Sequence, residues 1–584
     1  MKRLVFGTAT CGVAAGALTL LEGLRQTATE QGLELSLEQT GCLGLCYLEP
    51  LVEVLEDGRP ARLYGRVTEA VVRKLATGVE DDETRAALVR EGEGADRDSV
   101  LPGQKRIALE RCGRVTPVSL EEYRAWGGFD ALLAAVKAGS PQAVLDSIKQ
   151  SGLRGRGGAG FPTGRKWELA AASPGPVKYV VCNADEGDPG AFMDRSILEG
   201  DPYAVLEGMA LCGYAIGATE GIIYCRAEYP RALATLREAI GRARAAGLLE
   251  TDLGGFAFRI RIKEGAGAFV CGEETALMAS IEGRRGMPRI RPPYPAQKGL
   301  WGAPTNINNV ETLACVPWIL RHGGATFAAL GTEGSKGTKV FALAGKIRRG
   351  GLVEVPMGMS IRQLVMDIGG GVPGGRALKA VQMGGPSGGC LPESLLDTPI
   401  DYEKLVATGA IMGSGGCIVM DDTTCMVDVA RYFLSFIQSE SCGKCVFCRV
   451  GTKRLLETLE RICAGGGREG DIEELTALAH KVKNGSLCGL GQTAANPVLT
   501  TLRYFRHEYE AHIKEKRCPA LACAALVSYR VDADACTGCT ACAKACPVAA
   551  IEGAPRKPHS IDMGKCIRCG RCHSVCPVAA VIKF

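Results

Sequence analysis

Apolar residues recur along this chain at two spacings, which predict alternating strands and helices. The segments VLDSIKQSGL, KWELAAA, TKRLLETLERI and EELTALAHKVK carry apolar residues three and four positions apart, as helices do. The β-branched runs VKYVVCNAD and GIIYCRAEYP are typical of buried strands, and each ends in polar residues. Because strand, turn and helix recur in this order, the pattern predicts an α/β protein, with the later helical segments forming a small bundle.

The first residues need a separate interpretation, because an uncharged run from Leu4 to Leu21 follows Lys2 and Arg3. A secretory signal peptide has this form. Glycine and threonine interrupt the run, however, and a strand, a turn and a helix explain it equally well. We therefore predict a folded amino-terminal segment and, since no other long uncharged apolar span follows, a soluble cytoplasmic protein.

Composition changes this picture mainly through cysteine. A chain of 584 residues should contain several domains, and a net charge of +5 on that length indicates neither a nucleic acid nor an acidic membrane as partner. The 27 cysteines are unusual because many of them cluster towards the carboxyl end. In a large chain without secretory features, such clusters indicate metal ligands rather than disulfides.

The carboxyl-terminal cysteines form two runs of the type CxxCxxCxxxCP, which is the pattern of a ferredoxin-like pair of [4Fe-4S] clusters. The fourth cysteine of each run should bind the other cluster. A zinc ribbon is the alternative, but it uses two CxxC pairs rather than triplets. The predicted ligand sets are Cys536, Cys539, Cys542 and Cys576 for one cluster, and Cys566, Cys569, Cys572 and Cys546 for the other.

A third [4Fe-4S] cluster is predicted upstream. Cys442, Cys445 and Cys448 lie on one short run, and Cys488 in SLCGLGQ is the nearby cysteine with similar glycine-rich flanks. The two helical segments between them allow Cys488 to return to the triplet across the bundle. Three clusters in one chain imply a route for single electrons.

The stretch RGRGGAGFPTGRKW, from Arg154 to Trp167, is a candidate phosphate cradle. It is not a Rossmann fingerprint, because a helix precedes it instead of a strand, and it lacks the GK[ST] of a Walker loop. Its glycines suit either a backbone cradle that leads into a helix amino terminus or a tight surface turn. Further along, Gly272, Glu273 and Glu274 begin a helix, where the carboxylates either complement the helix dipole or accept hydrogen bonds from ribose hydroxyls.

Several of these motifs together resemble the NADH-binding flavoprotein subunit of respiratory complex I. The motifs are RGRGGAGFPTGRKW, NADEGDPGAF, RAEYP, GAGAFVCGEETAL, PPYPAQKGLWGAPTNINNVET and ESCGKCVFCRVGT, between about residues 140 and 515. The chain resembles still more the beta subunit of soluble NAD-linked hydrogenases and related electron-bifurcating or formate-linked complexes, because it also has an amino-terminal segment and a carboxyl-terminal ferredoxin pair.

The resemblance implies a set of residues around FMN and another around NADH. In contrast to relatives, Leu169 stands where a second stacking aromatic is frequent, and Phe269 replaces a frequent tyrosine. No acid or base side chain is expected in hydride transfer itself. The implied FMN shell is Gly155, Arg156, Gly157, Lys166, Asn183, Asp185, Ile307, Asn308 and Asn309, and the implied NADH surroundings are Phe161, Glu186, Asp188, Gly272, Glu273, Glu274 and Tyr294.

The resemblance also implies a domain order. We expect a thioredoxin-like domain over residues 1–80, a linker over 81–139 and a Rossmann-like FMN/NADH domain over 140–334. A ubiquitin-like β-grasp domain over 335–420, a helical bundle with [4Fe-4S] over 421–515, a tether with a candidate zinc site over 516–529 and a ferredoxin-like domain over 530–584 should follow.

Two further metal sites are open at this stage. The amino-terminal domain offers Cys11, Cys42 and Cys46, but Phe6 stands where the family has its fourth cysteine, so it holds either a [2Fe-2S] cluster or none. In the tether, Cys518 and Cys523 are candidate zinc ligands, or they are incidental thiols. Cys463 and His512 are the predicted remaining zinc ligands, with His559 as the rival of the fourth.

The resulting expectation is an NADH:acceptor oxidoreductase subunit with FMN and three [4Fe-4S] clusters. A thioredoxin-like [2Fe-2S] subunit and a catalytic or electron-accepting subunit, such as a hydrogenase or formate dehydrogenase, are the expected partners. The alternative is an iron-sulfur adaptor that no longer binds NADH.

Overall fold

The computed structural model describes residues 2–92 and 101–584. The chain divides into two compact units. The first comprises the described residues up to Gly375 together with Ala380–Val419, and the second comprises Arg376–Lys379 and Met420–Phe584. Among the described residues, no helix combines the length and the apolar character needed to cross a membrane.

The amino-terminal part forms a five-stranded sheet. Leu4 and Phe6 point into its core and are fully buried, as expected for alternate positions of a strand with one covered face. The predicted order of strand, turn and helix at the beginning of the chain is confirmed. In sheet order the strands are Leu35–Thr40, Lys2–Gly7, Leu51–Leu55, Ala61–Gly65 and Leu88–Gly92, and the helices are Thr10–Ala14, Ala17–Gln31, Glu69–Thr77 and Asp82–Ala87.

The segment predicted as a linker over 81–139 carries regular structure on both sides of residues 93–100, which lie outside the described residues. Its first part adds the strand Leu88–Gly92 to the amino-terminal sheet. Its second part forms two helices, and Tyr123, Phe129 and Leu132 are buried in the core of the following domain. The linker interpretation is therefore corrected, since the apolar spacing in DALLAAV already belongs to a core-facing helix.

A four-stranded parallel sheet organises the next part of the first unit. Its central strand Tyr179–Ala184 is apolar on both faces because helices cover both, which is typical of parallel sheets. In sheet order the strands are Arg259–Gly265, Glu220–Arg226, Tyr179–Ala184 and Thr305–Asn309; the helices are Leu120–Ala125, Asp130–Ala138, Pro141–Ser151, Thr163–Ala172, Met193–Gly200, Pro202–Ile216, Pro230–Ala245, Glu274–Ile281, Val310–His322 and Gly324–Ala328.

A second five-stranded sheet lies in the segment predicted as the β-grasp insert and extends to Asp421. It mixes parallel and antiparallel pairs, and Thr338–Gly345 pairs in both ways. The strands in sheet order are Gly351–Pro356, Thr338–Gly345, Gly416–Asp421, Leu378–Met383 and Gly389–Pro392, accompanied by the helix Tyr402–Thr408 and a helical turn at Gln363–Ile368.

The second unit begins with a helical bundle and ends in short strands. The two helices predicted from TKRLLETLERI and EELTALAHKVK are confirmed, and Leu455 and Leu459 on the first are fully buried. The helices are Met426–Ser439, Thr452–Cys463, Asp471–Gly485, Gly489–Thr493, Asn496–Tyr504, Arg506–Glu510, Ala541–Ala545 and Arg571–Ser574, with a helical turn at Ala511–Glu515; the strand pairs are Tyr529–Val531 with Val581–Lys583 and Ile551–Glu552 with Ser560–Ile561.

Candidate flavin and metal sites

The glycine-rich loop joins the helices Pro141–Ser151 and Thr163–Ala172. Two backbone bonds close its base, from Gly155 N to Phe161 O at 2.9 Å and from Thr163 N to Leu153 O at 2.8 Å. A Cβ atom added at Gly157 would lie 3.0 Å from Cβ of Asn309, so the loop approaches the carboxyl end of the strand Thr305–Asn309 closely. This is the edge of a parallel sheet at which α/β proteins bind ligands.

The two cations predicted for the FMN shell have different surroundings. The Arg156 guanidinium is buried and donates to the carbonyls of Arg154, Lys336 and Thr338 at 2.6–2.9 Å. Lys166 donates from Nζ to the carbonyl of Ile307 at 2.9 Å, and burial lowers its pKa. Because an ammonium has three donors, Lys166 can bind a phosphate in addition, whereas Arg156 holds the loop against the neighbouring segment.

Amide side chains line the same sheet edge. Asn183 and Asn309 lie side by side on adjacent parallel strands. Asn183 donates from Nδ2 to the carbonyl of Gly272 at 2.9 Å, and Asn309 donates to Asp194 at 2.5 Å. The neighbouring Asn308 is buried and accepts from Trp167 Nε1 at 3.2 Å. The structure thus brings the predicted amides together with Gly272 and the loop.

The acidic residues that follow the strand Tyr179–Ala184 are largely engaged within the protein. Glu186 is buried and accepts from the backbone N–H groups of Asp194 and Arg195, both at 3.1 Å. It therefore caps the helix Met193–Gly200. Asp188 accepts from the hydroxyl of Ser414 at 2.6 Å, and burial raises its pKa to about 6. The backbone of Asp185 donates to Asn183 at 3.1 Å.

Glu273 and Glu274 have different partners in the structure, and only Glu273 takes the helix-capping role that the sequence offered. Glu273 is the cap of the helix Glu274–Ile281 and accepts from the backbone N–H groups of Thr275 and Ala276, both at 2.9 Å. Glu274 instead forms an ion pair with Arg291. Arg291 was not found by sequence reasoning, since it lies in a proline-rich loop without a phosphate-binding pattern.

Two aromatic side chains at this edge face solvent. Phe161 is 46% exposed and Tyr294 is 53% exposed, although large aromatic rings are normally buried. An exposed ring next to a phosphate cradle suits stacking on a planar ligand. Together with the glycine loop, the partly buried Lys166 and the amides, these rings fit a flavin mononucleotide and a dinucleotide.

The other three bundle cysteines lie near Cys448. Cys448 is buried on the helical turn Phe447–Gly451, and Cys488 is buried at the start of the helix Gly489–Thr493. Burial is the main cause that raises the pKa of Cys448 to about 11, and the thiols of Cys445, Cys488 and Cys442 add to it. Three thiols placed around the buried Cys448 in this way fit a [4Fe-4S] cluster.

The ferredoxin-like cysteines are arranged with an internal symmetry. Backbone N–H groups donate to Sγ of Cys546 and of Cys576, both at 3.2 Å and both from the residue four positions later. Burial and then the thiols of Cys536 and Cys539 raise the pKa of Cys542. One apolar cavity is lined by Ile551 and Ile561 and by Cys546, Cys566, Cys569 and Cys572. The crossed pairing predicted for Cys546 agrees with this cavity.

A compact group of buried ligand atoms lies between the bundle and the tether. The ligand atoms of Cys425, His512, Cys518 and Cys523 all lie within 4.8 Å of one another. His512 Nε2 is 3.4 Å from Sγ of both Cys425 and Cys523, and its Nδ1 lies 2.7 Å from the carbonyl of Glu508. A carbonyl partner on the second ring nitrogen is typical of a metal-bound histidine.

This group differs from the predicted one at one position. Cys425 takes the place given to Cys463, which is not one of the four. His559, the rival ligand, lies instead 4.0 Å from Cys536 in the ferredoxin-like segment. Cys425 was missed because it lies far upstream in the sequence, where it caps the helix Met426–Ser439.

The amino-terminal cysteines form a second compact group. The sulfurs of Cys11, Cys42 and Cys46 lie within 4.8 Å of one another. Cys42 Sγ is 3.6 Å from Cys11 Sγ and 3.8 Å from Cys46 Sγ. Phe6, at the position of the family's fourth cysteine, packs with Leu21, Leu24 and Val52 in the domain core.

Comparison with known families assigns three parts of the chain. Residues 148–318 match the Nuo51 FMN-binding domain, and residues 428–512 match the NADH-ubiquinone oxidoreductase-F iron-sulfur binding region. Residues 529–584 match the 4Fe-4S dicluster domain.

Individual relatives agree with these assignments. The chain is 54% identical over 458 residues to the NADP-reducing hydrogenase subunit HndC of Solidesulfovibrio fructosivorans, covering 78% of this chain and 93% of the relative. It is 46% identical over 402 residues to the NADH-quinone oxidoreductase F 2 subunit of Rhizobium meliloti, covering 68% and 96%. The crystal structure of an NAD+-reducing [NiFe]-hydrogenase in the H2-reduced state superposes with a TM-score of 0.63 at 33% identity, covering 88% of this chain and 84% of that one.

Proposed function

The chain belongs to the family of NADH-binding FMN and iron-sulfur subunits that includes the F subunits of NADH-quinone oxidoreductases, and from this premise we propose how its own residues divide the work. The resemblance read from the motifs is confirmed, and so is the expected α/β multidomain fold with FMN-binding and [4Fe-4S] domains. As in its hydrogenase relatives, the chain is a flavoprotein subunit of a larger oxidoreductase.

The single observation that carries the nucleotide proposal is the combination of loop, lysine and exposed rings at one sheet edge. The backbone N–H of Gly157 and the ammonium of Lys166 bind the FMN phosphate, and Gly155 keeps the base of the loop closed through its bond to Phe161. Asn183, Asn308 and Asn309 hold the flavin and its ribityl chain, which is supported by their position at the ends of adjacent strands. Bound FMN supplies two-electron acceptance from NADH and single-electron release.

NADH is bound on the side of the exposed rings. Phe161 and Tyr294 stack on the adenine, and Glu274 accepts hydrogen bonds from the adenosine ribose. Because a carboxylate repels a 2′-phosphate, we propose NAD(H) rather than NADP(H) as the substrate. Three charged residues position the site without binding the nucleotide. Glu186 and Glu273 hold helices and Arg156 holds the glycine-rich loop through their hydrogen bonds.

Iron-sulfur clusters bound by the cysteines carry electrons from the flavin to the partner subunits. We assign one [4Fe-4S] cluster to Cys442, Cys445, Cys448 and Cys488, and two more to the ferredoxin-like runs with crossed fourth ligands. The buried group of Cys425, His512, Cys518 and Cys523 binds zinc, because three thiolates and one imidazole are a usual structural zinc set. The zinc fixes the tether to the bundle.

The second substrate is bound by partner subunits in the cytoplasm. Electrons leave for a thioredoxin-like [2Fe-2S] subunit and for a catalytic subunit such as a hydrogenase or formate dehydrogenase. The carboxyl-terminal cluster pair is a second electron port, as an electron-bifurcating complex would need for its second acceptor.

An absorption experiment tests the nucleotide proposal. The chain purified without oxygen should contain bound flavin, and NADH should bleach the flavin band. Lys166→Ala should weaken FMN binding by about 1.5–3 kcal/mol, roughly 10-fold or more, because it removes a charged hydrogen bond to phosphate. Lys149→Ala is the matched control, since that lysine pairs with Glu168 on the surface. A chain that holds its clusters but neither binds flavin nor responds to NADH would be the adaptor instead.

A further inference from the structure

The amino-terminal group of three thiols has a fourth neighbour that ligates metals. The carboxylate of Glu49 lies with Oε1 at 3.5 Å from Cys11 Sγ. Its second oxygen, Oε2, accepts from the backbone N–H of Leu51 at 3.0 Å, which fixes the direction of the carboxylate. Among the described residues, no lysine or arginine forms an ion pair with Glu49. A desolvated carboxylate beside three thiols is an arrangement that a cation would stabilise.

The helix that carries Cys11 passes close to Glu49 at Gly12. A Cβ atom there would lie 3.1 Å from Oε2 of Glu49 and 2.0 Å from the carbonyl oxygen of Gly7, so this approach needs glycine. The backbone N–H of Gly44 donates to Sγ of Cys42 at 3.3 Å. Hydrogen bonds of this kind to a sulfur and to a carboxylate oxygen orient ligands around a bound metal.

Three distances within this group match those around a single tetrahedral ion. With a Zn–S bond of about 2.3 Å, two sulfurs on one zinc lie about 3.8 Å apart, and a sulfur and a carboxylate oxygen lie about 3.6 Å apart. The corresponding distances are 3.6 Å and 3.8 Å between sulfurs and 3.5 Å from Cys11 Sγ to Glu49 Oε1. No oxygen of Glu49 lies within 4.8 Å of all three sulfurs, so the carboxylate has to turn towards Cys42 and Cys46 when an ion binds.

The same distances disagree with a [2Fe-2S] cluster. In that cluster each of the two irons takes two protein ligands, so three thiols cannot all belong to one iron. Thiols on different irons lie further apart than thiols on one ion, because the irons and their bridging sulfides stand between them. Here all three sulfurs form one compact group, and Phe6 occupies the position of the missing cysteine.

We propose that Cys11, Cys42, Cys46 and Glu49 bind one zinc ion, and that this chain therefore has a structural mononuclear site where the family resemblance implies an iron-sulfur cluster. Four protein ligands close the coordination sphere, so the site neither binds substrate nor carries electrons.

The position of the ligands indicates what the zinc stabilises. The loop with Cys42 and Cys46 bonds to the second five-stranded sheet, from Tyr47 N to Gly350 O at 3.1 Å and from Leu352 N to Gly44 O at 3.0 Å. Cys11 lies on the first helix of the amino-terminal domain. A zinc ion shared by the loop and this helix fixes the amino-terminal domain to the loop that contacts the sheet.

Metal analysis of the full-length chain tests this proposal. Cys42→Ala should lose one zinc per chain relative to the unmodified protein, with iron content and flavin bleaching by NADH unchanged. Cys417→Ala is the matched control, because it removes a fully buried thiol from a strand outside the group. Because the readout is a difference, it does not depend on the zinc proposed at Cys425, which Cys518→Ala would remove separately.

A second variant addresses the carboxylate without removing a thiol. Glu49→Gln should release the amino-terminal zinc at a chelator concentration that leaves it bound in the unmodified protein. If the variants are unstable, zinc X-ray absorption of the Cys518→Ala protein gives the same answer, with three sulfurs at about 2.3 Å and one oxygen at about 2.0 Å expected. Three results would overturn the proposal. Loss of two irons in Cys42→Ala would show that the site holds a [2Fe-2S] cluster, and unchanged zinc and iron contents would show that the thiols are free. Unchanged zinc retention against the chelator in Glu49→Gln would show that the carboxylate is not a ligand.

Discussion

The nucleotide-binding edge and the cysteine sites are built in different ways. The edge combines single side chains from segments far apart in the chain, and several of them already serve the fold: Glu186 and Glu273 each cap a helix. The predicted iron-sulfur sites take three ligands each from one short run. Chemical type therefore predicts a ligand well at the cysteine sites, whereas at the edge a carboxylate or a guanidinium has competing uses inside the protein.

The strongest way to separate the two regions is to remove one bundle ligand. Cys488→Ala should lower iron content by up to four atoms per chain and slow NADH-dependent reduction of the ferredoxin-like clusters by more than about 100-fold, because it interrupts the only assigned route from flavin. FMN should still be bleached by NADH. Stopped-flow absorption follows both steps, with Cys417→Ala as control, and rapid cluster reduction in Cys488→Ala would refute the route.

A second variant pair compares two thiols of the same helical bundle. Cys425→Ala should remove one zinc per chain. It should destabilise the second unit by more than about 2 kcal/mol, because the three remaining ligands are then buried without their metal. Cys463→Ala should retain the zinc, since Cys463 is not in the group of four. Zinc content and thermal denaturation of both proteins are the measurements. Loss of zinc from Cys463→Ala alone would favour the ligand set read from the sequence.

These two sites also show how far sequence reasoning reaches. The runs around Cys442 and Cys536 were predictable because the chemistry needs a fixed local spacing that survives in any fold. Cys425 was not, since it reaches its site through the tertiary fold from about 90 residues upstream. Glu49 follows Cys46 by three residues, but a single glutamate beside a cysteine run is not a metal-binding pattern. Helices and strands with clear periodicity were found, whereas the segment 120–138 was read as a linker despite its apolar spacing.

At the nucleotide edge, a charge-swap series tests which carboxylates face the ligand. Glu274→Gln should raise the ratio of kcat/KM for NADPH to that for NADH by roughly 10-fold, about 1.4 kcal/mol, since it removes a repulsive charge and releases Arg291 to bind the 2′-phosphate. Adding Arg291→Gln should reverse most of this gain. Glu273→Gln is the control, because that residue caps a helix. An unchanged ratio in Glu274→Gln would remove this residue from cofactor selection.

The smallest expected effect concerns Asp188, which bonds to Ser414 in the fold and is also predicted to lie near NADH. Burial raises its pKa to about 6 from an ordinary value of 3.8, so between these values the folded protein binds a proton that the unfolded chain has lost. Stability contributed by this carboxyl therefore falls as pH rises towards 6, by about 1 kcal/mol between pH 5 and pH 7.5. Asp188→Asn cannot titrate and should lack this part of the pH dependence, which corresponds to roughly 2–4 °C in the temperature of FMN release measured by flavin fluorescence. Asp146→Asn, on the surface of the helix Pro141–Ser151, is the control. An equal fall in the FMN-release temperature between pH 5 and pH 7.5 in Asp188→Asn and in the unmodified protein would mean that the Asp188 carboxylate is ionised at both pH values. Asp188 would then belong with the residues that face the bound nucleotide rather than with those that hold the fold.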